Sequence, residues 1–71
     1  MRRRYIAALC HMRDGELLPY ESKHFVAVNK DEAVQKATEW AIANVGLITE
    51  RTWLQVTSDG VGIYSKVFET P

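Results

Sequence analysis

Asn29-Lys30-Asp31-Glu32-Ala33-Val34-Gln35-Lys36-Ala37-Thr38-Glu39-Trp40-Ala41-Ile42-Ala43-Asn44-Val45-Gly46 reads as one amphipathic helix set between two β-hairpin signals. Asn29 has the side chain of an N-cap, able to accept from the free N–H groups of a first turn. Glu32, three positions on, has the spacing to reach back in a capping box. Asp31 and Glu32 also sit where the helix dipole favours negative charge. At 100° per residue, Ala33, Val34, Ala37, Trp40, Ala41 and Val45 share one face, with Gln35, Lys36 and Glu39 opposite. Gly46 supplies the left-handed residue that ends a helix, which predicts a helix over about 30–45. Its three central alanines favour close approach to a sheet, with Trp40 filling space at the margin. Ile42 falls on the far side of the wheel, where a monomer leaves it partly in water.

Working outward, Arg4 to Arg13 is β-branched, aromatic or small apolar and stops at Asp14-Gly15, a type I′ hairpin signal. A second strand follows over about 17–28. Pro19 has no N–H, which predicts an edge position or a bulge and a kink there. Beyond the helix, 52–58 and 61–68 alternate as strands around a second Asp-Gly turn, Asp59-Gly60. The fold class expected is α+β in the order β-β-α-β-β. It amounts to two antiparallel hairpins forming one sheet with the helix packed on one face. The whole of 1–71 forms a single small domain, with 1–3 as a flexible basic arm.

A regular two-residue second turn sets Val56 opposite Ile63, Leu54 opposite Ser65 and Thr52 opposite Val67 on the core side. The same register places Gln55 opposite Tyr64, Trp53 opposite Lys66 and Arg51 opposite Phe68 on the other side. One helix covers only one face of a four-stranded sheet. Arg51, Trp53, Gln55, Tyr64, Lys66 and Phe68 are therefore the candidate binding or dimer face.

Nine basic and nine acidic residues cancel to a net charge of zero, so no overall field draws in nucleic acid, membrane or an acidic partner. Arg2, Arg3 and Arg4 form a local cationic arm, a candidate phosphate contact whose bland reading is a solvated terminus. The apolar run after them is broken by His11 and Arg13 and lacks a small-residue cleavage site, so it does not read as a secretory signal. No stretch has the length of a membrane span. The single cysteine, Cys10, cannot form an internal disulfide and fits a reducing compartment, so a cytoplasmic location is expected.

Catalytic patterns are sparse. Cys10 and His11 are adjacent, and neighbouring strand residues point to opposite faces, so a thiolate–imidazole pair is not expected. Counting back from the first turn places His24 near Tyr5, about 20 Å along the strand from His11, too far for a shared metal. Asp14 and Asp59 serve turns, Asp31 and Glu32 the helix start. Gly60-Val61-Gly62 leads into a strand, where a phosphate cradle needs a helix. No cofactor or metal is expected, and the enzyme reading leans to no.

Val28-Asn29-Lys30-Asp31-Glu32-Ala33-Val34 resembles the strand-to-helix entry of HicB-type antitoxin domains, which are also small α+β units. The likeness spans about a tenth of the chain, and no site residue is transferred from it.

A single core in a chain below roughly 70 to 80 residues rarely supplies more than about 3–5 kcal/mol, so reinforcement by self-association is expected. The leading functional expectation is a small non-catalytic interaction module that forms a homodimer. The alternative is weak nucleic-acid binding through Arg2, Arg3 and Arg4 and the aromatic sheet face, where bases would stack.

Overall fold

The structure is a computed structural model described over residues 2–45 and 51–68. Gly46 and the side chains of Val45 and Phe68, which entered the helix and sheet-face expectations, lie outside the described part. The elements are β1 (Arg3–Arg13), β2 (Glu16–Ala27), α1 (Lys30–Val45), β3 (Thr52–Ser58) and β4 (Val61–Phe68). They have the expected β-β-α-β-β order, and the four strands make one antiparallel sheet ordered β2-β1-β3-β4. Since β2 and β3 both run antiparallel to β1, they are parallel to each other, and α1 carries the chain across β1 between them.

Both hairpins close as their Asp-Gly pairs dictate. Asp14 and Gly15 have φ of 49° and 81°, Asp59 and Gly60 of 52° and 79°. Two successive positive φ values define the type I′ turn, whose twist matches that of the flanking strands. Arg13 pairs with Glu16 and Ser58 with Val61, so each loop has two residues. Arg3 belongs to β1 and pairs with Ala27, which places the strand one residue inside the expected basic arm.

At the helix start, the Asn29 Oδ1 accepts from the Glu32 N–H at 2.8 Å, and the Ala33 N–H donates to the Asn29 carbonyl at 3.0 Å. The Glu32 carboxylate does not complete the capping box. It turns along the helix to Lys36 Nζ at 3.1 Å, and the same ammonium donates to the Val26 carbonyl at 3.1 Å, tying α1 to β2.

Ala33, Ala37 and Ala41 are fully buried against Tyr5, Ala7 and Leu9 of β1, Leu54 and Val56 of β3, and Ala27. Small side chains on the helix let its backbone come close to the sheet. Phe25 and Trp40 pack at the margin, with the Phe25 ring stacked on Tyr5 at 5.9 Å between centroids. Ile42, on the far side of the wheel, is 62 % exposed.

Ala33 and Ala41 are fully buried where the stripe meets the sheet, away from the groove that Ala37 lines. Ala41→Leu is expected to lower stability by about 1–3 kcal/mol through overpacking, read as an earlier midpoint in urea unfolding. Asn29→Ala is expected to cost about 1 kcal/mol in the same measurement by removing the N-cap bond.

Candidate interaction surface

Which side chains share a face follows from the ladders, and each outer ladder carries one irregularity. Between β1 and β2 the register shifts between Leu9 and Cys10. Leu9 pairs with Glu21 and Cys10 with Pro19, leaving Tyr20 as an extra residue in the edge strand. Pro19 thus stands beside a bulge on an edge strand, the setting its missing N–H requires. The extra residue turns Tyr20 to the helix side. Its ring meets His11 edge-on at 4.3 Å, and its hydroxyl and the buried Thr52 hydroxyl are 3.2 Å apart.

The second shift lies between Val56 and Thr57. Thr57 pairs with Gly62, but Val56 pairs with Tyr64, Leu54 with Lys66 and Thr52 with Phe68. Ile63 is the extra residue. This corrects the expected face, because Tyr64, Lys66 and Phe68 now pair with the core-side residues of β3. Trp53 faces Val67 and Gln55 faces Ser65 on the helix-free side. Arg51 is exposed and precedes β3. The physical reason is burial. With the bulge, Ile63 and Tyr64 both pack against the core cluster, whereas a regular ladder would send Tyr64 to the opposite side. Gly62 sits beside the bulge, and a glycine inside a strand was the available sign of it.

The same parity separates the other candidates. Arg3 and Arg4 stand on alternate faces of β1, and Arg2 precedes the strand, so the three arginines do not make one basic patch. His24 pairs with Ile6, one residue from the expected Tyr5, because Tyr20 is inserted. His11 lies on the helix side and His24 on the other, about 16 Å apart along the strand. Among the described residues no group of three metal-ligating side chains comes together.

The helix-free face contains a row crossing all four strands: Pro19, Cys10, Trp53 and Val67. Met12 and Leu17, directly paired, extend it toward the first turn, with Met12 46 % exposed. The next row is Ser22, Ala8, Gln55 and Ser65. No side chain in either row, nor Met12 or Leu17, carries a formal charge. Cys10 is fully buried between its cross-strand neighbours Pro19 and Trp53.

Burial pushes the Cys10 thiol above its ordinary pKa, away from the thiolate a nucleophile needs. The folded chain therefore holds this proton more tightly than the unfolded chain. Stability from the group is full below the ordinary thiol range and falls as pH rises past about 8.5. Urea unfolding at pH 7 and pH 10 is expected to show a larger alkaline loss for the unchanged chain than for Cys10→Ala. The native thiol is also expected to react with an aromatic disulfide reagent far more slowly than after unfolding.

No protein-family model, curated protein or solved structure matches this chain. No described helix is long and apolar enough to cross a membrane.

Proposed function

We propose that this chain is a small non-catalytic interaction module that self-associates through the helix-free face of its sheet. The observation that carries the reading is the uncharged apolar row Pro19, Cys10, Trp53 and Val67 with Met12 and Leu17 beyond it, on a face no described element covers. A second copy suits it on electrostatic grounds. In a twofold contact each patch meets itself, so a patch of one charge sign repels its own copy, while an uncharged apolar patch does not. Apolar area withdrawn from water then contributes about 25 cal/mol per Å², the reinforcement a core of this size calls for. A cytoplasmic setting accords with the single buried thiol.

The nucleic-acid alternative has less support, since Trp53 and Tyr64 stand on opposite faces and cannot form one stacking platform.

Light scattering and sedimentation across a concentration series into the high micromolar range test the reading. The expected result is a concentration-dependent rise above the 8.1 kDa of one chain. Met12→Glu places a charge on the exposed end of the row and is expected to shift the particle toward that mass while the far-ultraviolet spectrum is unchanged. A particle that stays at one chain's mass throughout overturns the proposal.

A further inference from the structure

The outer edge of β2 is a second surface with its own self-complementarity. β2 is at the end of the sheet, and among the described residues β1 is its only neighbour. An open edge presents a row of backbone N–H and C=O groups suited to another strand. Beside the bulge, Glu21, Ser22 and Lys23 are all exposed, and Glu21 and Lys23 pair with the core residues Leu9 and Ala7, which places both on the helix side. Neither has an ion-pair partner among the described residues. A groove between α1 and β2, walled by Phe25, Trp40 and Lys23, opens on that same side.

We infer that two copies of this chain join through antiparallel pairing of their β2 edges about a twofold centred on Ser22. Each Glu21 then faces the partner's Lys23. The inference rests on the self-association reading but uses a different surface from the sheet face.

The register follows from charge. A twofold normal to the sheet keeps both helices on one side and pairs residues of matching face. The regular part of the edge, Glu21–Ala27, offers five centres with a pair on each side, Ser22 to Val26; those at Phe25 and Val26 set no acid opposite a base within the strand. Centring on Lys23 sets lysine against lysine. Centring on His24 sets imidazole against imidazole, leaves Glu21 opposite Ala27, and makes the two lysines diagonal neighbours. Centring on Ser22 sets a carboxylate opposite an ammonium twice and two hydroxyls at the axis. Directly opposed cross-strand charges are about 5 Å apart at Cβ and diagonal ones about 7–8 Å, so the two attractive pairs outweigh the like-charge diagonals.

The test is a charge swap in the full chain, read by sedimentation equilibrium. Glu21→Lys and Lys23→Glu each turn two attractions into two repulsions and are expected to weaken association by about tenfold or more. The double variant, Glu21→Lys with Lys23→Glu, restores opposite charges and is expected to return within about threefold of the unchanged chain. If the single variants associate as tightly as the unchanged chain, or the double variant stays as weak as the single ones, the inference is overturned. Met12→Glu separates the two surfaces. Weakening by Met12→Glu with no response to the edge variants leaves the face reading standing and removes this one. Weakening and rescue by the edge variants with no response to Met12→Glu does the reverse. A chain that never associates removes both.

Discussion

The contact between the alanine stripe of α1 and the two central strands sets the terms for everything else in this fold. Ala33, Ala37 and Ala41 have no side chain to hold the helix away from Ala7, Leu9, Leu54 and Val56, so helix and sheet approach closely. A helix is about 10 Å wide and neighbouring strands are about 4.8 Å apart, so it fully covers only the middle of a four-stranded sheet. β1 and β3 become the buried centre, β2 and β4 become edges, and the opposite sheet face has no helix. Trp40 and Phe25 lie at the border, half-buried, where the helix gives way to the groove beside β2.

The two bulges follow from the same constraint. β1 and β3 pair with each other and with an outer strand, so an extra residue in either would disturb two ladders. Each extra residue lies in an outer strand, where only one ladder is broken. In both places an aromatic side chain turns to the helix side. Tyr20 reaches across His11 to the Thr52 hydroxyl, the one buried polar side chain of the described core, and Tyr64 joins Ile63 on Val56. A lost ladder bond is thus offset by a satisfied hydroxyl in one case and by added apolar contact in the other.

What the bulges remove from the helix-free face defines that face. It retains Trp53 as its largest ring, loses Tyr64 and Lys66, and presents two neighbouring rows without formal charge, with Arg4 further along the same face. An uncharged patch and an edge bearing one acid and one base two residues apart are both surfaces that tolerate a copy of themselves. They differ in what fixes geometry: apolar contact is non-directional, while strand pairing imposes a register.

The sequence by itself determined the local elements. Asp14-Gly15 and Asp59-Gly60 specify two-residue turns because both central residues must take positive φ, and the N-cap at Asn29 with the alanine spacing specifies the helix and its inner face. Pro19 marked an edge position or a bulge because an interior strand needs the N–H that proline lacks. These are properties of a few consecutive residues and require no knowledge of what lies across the fold. Strand order, the bulge at Ile63 and therefore the sides taken by Tyr64, Lys66 and Trp53 were decided only by tertiary structure. Gly62 hinted at an irregularity, but a period of two extrapolated from a turn reverses every side chain after one inserted residue. Whether that residue is inserted depends on burying Tyr64 against Val56 beneath a helix some twenty positions away, a non-local gain that no window of sequence contains.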